Sequence, residues 1–493
     1  MFNQRRRSAN DELMRYKKVL LVSPRIGKGR NRLALHPLAG IGYVAEALKN
    51  AGVEVAVLDM NLGYTYHDLR QRITDLQPDV IALTVMTFGF LDTYELINII
   101  HNLHPQIKIV VGGPHVSTLR EKVLYDCQGI DYAVILEGDI SFVQLCSGKE
   151  YENISGFIYR ENGKITVNEF KDFILTLDEL AFPKYEAFEL DKYPTRQIGI
   201  VTSRGCPYSC IYCPVIAAIG KRYRARSAQS VVAEIDYWYG MGYREILILD
   251  DNFTLIRKRT EEICNLLLQK GYKDIHLKCP NGIRADMVDH QLLKTMRAAG
   301  FDLVAFGVEA GSDKILKNIK KGEIIKTIEQ GIKDACALGF DVDLFFLIGS
   351  PGETMEDIYK SFSLALRYPV RTARFYNIIP FPETELLAWI NTNGYLLNNY
   401  DFILNNASHF VNEPCFYTPE LSAEERKIAF KMGQAISLKI RRKYYERKLN
   451  LPFFFKRMIS WAYTDARLEN WLINNYIFTK IKQKMKNIWF NNK

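Results

Sequence analysis

Cys206, Cys210 and Cys213 stand in a CxxxCxxC spacing within the segment Thr202-Ser203-Arg204-Gly205-Cys206-Pro207-Tyr208-Ser209-Cys210-Ile211-Tyr212-Cys213-Pro214. Three thiolates this close on one loop can hold three irons of a cubane cluster, and no fourth cysteine lies nearby. The fourth iron is then open to chelate a small molecule, as a catalytic, electron-delivering cluster requires and an electron-transfer ferredoxin does not. A three-cysteine zinc site completed from elsewhere is the competing reading, but zinc more often takes paired short knuckles. The other six cysteines (Cys127, Cys146, Cys264, Cys279, Cys336, Cys415) are scattered among apolar segments and read as small core residues. Nine cysteines in 493 residues are too few, and odd in number, for a disulfide scaffold.

The elements that must position these thiols form an alternation of strands and helices. Strands are expected near Gln197 to Thr202, Glu245 to Asp250, Ile275 to Cys279, Leu303 to Val308, Val342 to Ile348 and Ala373 to Ile379. Such β/α units in succession predict a partial or full α/β barrel over 196–385, with its chemistry on the loops that follow the strands. An earlier alternation, Lys18 to Val22, Val53 to Asp59, Asp79 to Val85, Ile107 to Gly112 and Tyr132 to Leu136, predicts a doubly wound, flavodoxin-like or Rossmann-like sheet over 18–150. Open sheets of this kind bind ligands beyond the carboxyl ends of their strands. Here those ends carry Ser23-Pro24-Arg25, Asp59-Met60-Asn61, Thr84 to Thr87, Gly112-Gly113-Pro114-His115 and Glu137-Gly138-Asp139. A polar basic arm covers 1–17, and 151–195 reads as a linker containing a hairpin that turns at Asn162-Gly163. From 386 to 493 the sequence is helical, aromatic and basic.

The cysteine loop resembles the signature of the radical S-adenosylmethionine enzymes, CxxxCx(aromatic)C, with Tyr212 as the aromatic residue. The resemblance runs on through Asp250-Asp251-Asn252, Asn281-Gly282-Ile283-Arg284, Gly307-Val308-Glu309-Ala310 and Gly349-Ser350-Pro351-Gly352-Glu353. It implies a 4Fe-4S cluster on Cys206, Cys210 and Cys213 that reduces S-adenosylmethionine to methionine and a 5′-deoxyadenosyl radical. Asn281 is assigned to that cofactor, with Arg284 pairing with the methionine carboxylate and Glu309 accepting from the ammonium or the ribose hydroxyls. Tyr212 would offer a backbone amide to the adenine, and Gly349 and Gly352 would let the backbone approach it. Asp250 and Asp251, where many members carry Gly-Gly-Glu, are the candidate catalytic residues.

The order of doubly wound domain, linker and cysteine barrel resembles the cobalamin-binding branch of that family. The resemblance includes His36-Pro37-Leu38 through Tyr43 as well as the strand ends given above. It implies that Asn61, Thr84, Gly112, Gly113, His115, Glu137 and Gly138 line a cobalamin site. Many such domains supply a lower axial histidine from Asp-x-His-x-x-Gly. Here Asp59-Met60-Asn61-Leu62-Gly63 puts Asn61 in its place, so cobalt takes no histidine from that loop. His115 is expected on a strand-end loop, exposed or reaching the corrin side chains.

The resemblance implies a methyltransferase acting on an unactivated carbon of a small substrate, with methylcobalamin as methyl donor, and the composition of the tail from Arg441 onward suggests that this substrate is hydrophobic or lipid-like. The alternatives are a non-methylating oxidative cyclase or rearrangement enzyme, an RNA-modifying methylthiotransferase, and a cobalamin or redox sensor without catalysis. An electron donor such as flavodoxin or ferredoxin is the implied partner. The formal charge of +9 is concentrated at the end of the chain, where 13 Lys and Arg face 3 Asp and Glu from Arg441 onward, so nucleic acid is not expected. That tail mixes cations with Phe453-Phe454-Phe455, Trp461, Trp471, Tyr476 and Trp489, suited to an anionic bilayer surface. Without a long apolar run or a signal-like N-terminus, the chain is expected in the cytoplasm, or peripherally on the cytoplasmic membrane face.

Overall fold

The computed structural model describes residues 14–25, 34–171, 173–406 and 413–449, with 452, 456, 457, 460, 461 and 464. The basic arm, apart from its last residues, and most of the aromatic tail lie outside the described residues. The chain divides into two compact units. Of the described residues, the first holds those up to Tyr193 together with Pro214–Arg224 and Leu404–Asn406; the second holds Pro194–Cys213, Ala225–Ile403 and those from 413 onward.

The first unit is built on β1 (Lys18–Ser23), β2 (Glu54–Asp59), β3 (Val80–Thr84), β4 (Lys108–Gly112) and β5 (Tyr132–Val134), parallel and ordered β2-β1-β3-β4-β5. This is the flavodoxin-like order, whose switch point lies between β1 and β3. Continuous apolar runs such as Val19 to Val22, all buried, are what strands covered on both faces need. The hairpin expected in a linker is instead the antiparallel continuation of this sheet: β6 (Phe157–Glu161) pairs with β5, and β7 (Lys164–Val167) pairs with β6. Its tight turn places Asn162 and Gly163 at φ 48° and 77°, as a primed hairpin turn requires.

The second unit carries β8 (Gln197–Ile200), β9 (Glu245–Ile248), β10 (His276–Ile283), β11 (Phe301–Glu309), β12 (Asp341–Ile348) and β13 (Thr372–Asn377). They pair in sequential order, all parallel, and the end strands β8 and β13 do not pair with each other, so the barrel is partial. Every strand end therefore opens on one rim, where the loops carrying the cysteines, Asp250, Arg284, Glu309 and Gly349 begin.

A long helix, Ala423–Lys448, packs on β13. Its start is fixed by a capping box in which Ser422 and Glu425 satisfy each other's backbone donors. Arg426, Ala429, Phe430, Gly433, Ser437 and Ile440 form its buried stripe, at the spacing of one helix face. The Ser437 hydroxyl donates to the Ala373 carbonyl and the Gln434 amide to that of Phe375. No helix among the described residues is long and apolar enough to cross a membrane.

Candidate active site

The cysteine loop is held at three points. At its root the buried Asp250 carboxylate accepts from the Thr202 amide at 2.6 Å, the Thr202 hydroxyl at 2.5 Å and the Ser203 hydroxyl at 2.6 Å. Midway, the Arg284 guanidinium lies 3.7 Å from the centroid of the Tyr208 ring. Beyond it, the Ile211 amide donates to the Ile319 carbonyl at 3.1 Å while its carbonyl accepts from the Leu386 amide at 2.9 Å. The three thiols between and beside these anchors are half-buried. Burial raises the Cys206 and Cys210 thiols above their ordinary range, and the Lys321 and Arg284 cations pull them back down.

This corrects the expectation for Asp250. Its carboxylate is consumed in tying the end of β8 to the end of β9, so it shapes the loop and does not face a reacting atom. Asp251 makes none of those bonds. It is half-buried beside Cys206, and burial together with the Asp250 charge raises its carboxyl to about 6.

Arg284 also departs from expectation. Its Nε and Nη2 grip Asp286 at 2.9 and 2.7 Å and its Nη1 donates to the Lys321 carbonyl at 2.8 Å. A guanidinium fork so occupied is not offered to a methionine carboxylate. Two residues unforeseen from the sequence stand beside it. The buried Lys321 donates from Nζ to Glu309 at 3.0 Å and lies 3.6 Å from Glu323, whose other oxygen accepts from the Ala285 and Asp286 amides at 2.9 and 3.3 Å. Burial works against the Lys321 charge, but Glu309 and Glu323 hold its ammonium protonated. Glu309 ends β11 at a φ of 64°, and Tyr212 stands against it; burial and that carboxylate raise the Tyr212 phenol. Asn281, exposed on β10, donates to the Leu249 carbonyl at 2.8 Å.

At the end of β12 the Glu353 carboxylate accepts from the Gly349 and Ser350 amides at 2.6 and 3.1 Å, drawing the loop into a tight turn. Gly349 has a φ of 97° and Gly352 one of 72°. Burial raises Glu353 to about 7.

In the first unit Asn61 is spent within the protein. Its amide donates to the Ser23 hydroxyl at 3.0 Å, the Pro24 carbonyl at 3.1 Å and Asp59 at 3.0 Å, tying the ends of β1 and β2. Gly113 has a φ of 102°, and a Cβ there would meet the Thr84 hydroxyl at 2.7 Å, so β3 and β4 end in close backbone approach. His115 is neither exposed nor in a loop. It lies in the helix Pro114–Leu119, fully buried, stacked 4.5 Å from Phe90 with Nε2 3.1 Å from the Tyr94 hydroxyl. Glu137 is likewise turned inward: one oxygen accepts from Arg224 at 2.6 Å, the other from the Ile174 amide at 2.8 Å. Neither is placed to meet a corrin. Gly112 and Gly138 stand at the carboxyl ends of β4 and β5, with no contact closer than 3.6 Å to a Cβ at either. The large apolar side chains left exposed on this rim, Leu35, Leu38, Met86 and Leu91, follow β1 and β3 at the switch point, where a broad macrocycle would find a hydrophobic floor.

Two stretches of the chain match family models: residues 200–365 the radical SAM superfamily and 29–146 the B12 binding domain. An uncharacterized methyltransferase of Pyrococcus horikoshii is 31% identical over 395 residues, covering 78% of this chain and 85% of that protein. The chain belongs to the cobalamin-binding radical S-adenosylmethionine enzymes. An anaerobic magnesium-protoporphyrin IX monomethyl ester cyclase of Cereibacter sphaeroides is 26% identical over 395 residues, 75% of this chain and 63% of that one. Among solved structures, the cobalamin-dependent S-adenosylmethionine radical enzyme OxsB superposes with a TM-score of 0.74 at 17% identity, over 96% of this chain and 75% of that one. This radical SAM enzyme therefore uses a 4Fe-4S cluster, S-adenosylmethionine and cobalamin. The residues present fit these groups: three half-buried thiols on one anchored loop, a buried carboxylate and ammonium pair beside them, and an apolar rim on the doubly wound sheet.

Proposed function

We propose that this radical SAM enzyme transfers a methyl group to an unactivated carbon of a small, hydrophobic substrate. The observation that carries the reading is the union of a cobalamin domain and a radical SAM barrel in one chain whose 31%-identical relative is named a methyltransferase. When bound, the cluster and S-adenosylmethionine supply hydrogen abstraction and cobalamin supplies the methyl group.

The chain's own residues take the following parts. Cys206, Cys210 and Cys213 hold the cluster, and Asp250 fixes the root of their loop. Glu309, held in place by the Lys321 ammonium, would accept from the ammonium or ribose hydroxyls of S-adenosylmethionine, and Asp251 is the carboxyl left for contact at the rim. The Gly349 to Gly352 turn receives the adenine. In the first unit, Thr84, Gly112, Gly113 and Gly138 with the exposed leucines would receive cobalamin, and the Asp59 to Gly63 loop, where Asn61 is committed to Ser23 and Asp59, would offer it no histidine. A flavodoxin or ferredoxin delivers the electron, and the basic aromatic tail favours a lipid-like substrate taken at a membrane surface.

The test is a reaction with S-adenosylmethionine carrying an isotopically labelled methyl group. A product heavier by one labelled CH₂ unit supports the reading. Release of 5′-deoxyadenosine with an unchanged carbon count in the product overturns it and favours ring closure, the activity for which the Cereibacter sphaeroides relative is named.

A further inference from the structure

Arg426 lies in the first turn of the helix Ala423–Lys448, beyond the 200–365 matched to the radical SAM superfamily. Its guanidinium is fully buried. Nη2 donates to the Gly349 carbonyl at 2.7 Å, and the charge sits 4.0 Å from the Phe416 ring centroid. A Cβ at Gly349 would run into this guanidinium, so the glycine is required by Arg426 as well as by its φ of 97°. The loop is thus gripped from both sides: Glu353 takes the Gly349 and Ser350 amides, and Arg426 takes the Gly349 carbonyl.

This grip is costly as a stability device. Arg426 makes no ion pair within 4 Å among the described residues, and its Nε and Nη1 find no hydrogen-bond acceptor there. Burial lowers it to about 10, which still leaves it a cation in the interior. Replacing a whole buried ion pair by apolar side chains of similar size is often neutral or stabilising, whereas removing one buried charge leaves its partners, here the Gly349 carbonyl and the nearby Glu353 carboxylate, uncompensated. A residue kept only for packing would not need to be arginine.

We infer that Arg426 is a positioning residue for S-adenosylmethionine binding: it fixes the peptide plane at Gly349 so that the Gly349 to Gly352 turn presents a set backbone surface to the cofactor. This rests on the reading that the turn receives the adenine. The C-terminal helix is then part of the cofactor site although it touches no cofactor atom.

The test compares the cluster-loaded full-length protein with its R426M and R426K variants, measuring S-adenosylmethionine affinity, melting temperature and amide exchange across 349–353. Expected is a folded R426M, its melting temperature reduced by the Gly349 carbonyl and Glu353 carboxylate left uncompensated, with affinity lowered about tenfold or more. R426K, a point charge without the planar fork, should recover only part of it. Unchanged affinity in either folded variant overturns the inference, as does lost stability at unchanged affinity. If both variants fail to fold, F416L, which removes the ring beneath the guanidinium, is read in the same way. Amide exchange separates the two levels. If S-adenosylmethionine leaves 349–353 unprotected in the unaltered enzyme, the adenine reading fails. If it protects them equally in the enzyme and in R426M, only the positioning role fails.

Discussion

Asp250 and Asp251 are adjacent yet do opposite things. Asp250 accepts three hydrogen bonds in the interior, while Asp251 stands at the rim with its carboxyl raised to about 6 by burial and by its neighbour. Asp250→Ala should therefore release the root of the cysteine loop, leaving the buried Thr202 and Ser203 donors unsatisfied at roughly 1–3 kcal/mol each. Iron content per chain is expected to fall sharply in that variant and to stay near that of the unaltered enzyme in Asp251→Asn. Equal iron in both variants would remove the positioning role. The cysteines were legible because three ligands of one cluster sit in a single local motif. The roles of Asp250 and Arg284 were not, since strand-end residue type does not say whether a charge turns outward or is spent on a neighbour. Lys321 and Arg426 were invisible for a different reason: Glu309, which the Lys321 ammonium meets, lies 12 residues before it and Gly349 lies 77 residues before Arg426, each pair joined only by the fold.

At the level of elements, both alternations were legible because parallel strands covered on both faces need continuous apolar runs. The hairpin was legible as a hairpin, but its docking on β5 was not, because pairing at a sheet edge leaves little trace in local pattern. His115 shows what the buried helical layer entails. It joins the helix Pro114–Leu119 to the helix Phe90–Leu103 through Phe90 and Tyr94, and burial, aided by the Lys122 charge, lowers it from 6.5 to about 3. The unfolded chain therefore takes up this proton first. The contribution is complete above about pH 6.5 and declines as pH falls toward 3, by about 1.4 kcal/mol per unit. Unfolding at pH 7 and pH 5 should show a steeper acid loss in the unaltered chain than in His115→Gln, which has nothing to titrate there. Parallel losses would exclude His115 as the source.

For the whole molecule, the two compact units imply that the two metal centres are loaded separately. Cys210→Ala should lose iron and keep cobalt, whereas Gly113→Val, which forces a branched side chain into the Thr84 hydroxyl, should lose cobalt and keep iron. Metal analysis of the two variants after anaerobic reconstitution checks this, and joint loss of both metals in either would refute it. The β6 and β7 hairpin has a consequence for solubility. Without it, β5 would end the sheet as Tyr132, Ala133 and Val134, three buried apolar residues with a bare row of peptide donors and acceptors. The hairpin replaces that row with a margin bearing Lys164, Glu161 and an exposed turn, a poor template for a neighbouring chain. A chain cut at residue 150 would keep every strand-end loop of the parallel sheet and still be drawn into filaments or precipitate through its new edge. The guard against self-association is thus written in the stretch that reads, residue by residue, as mere connection.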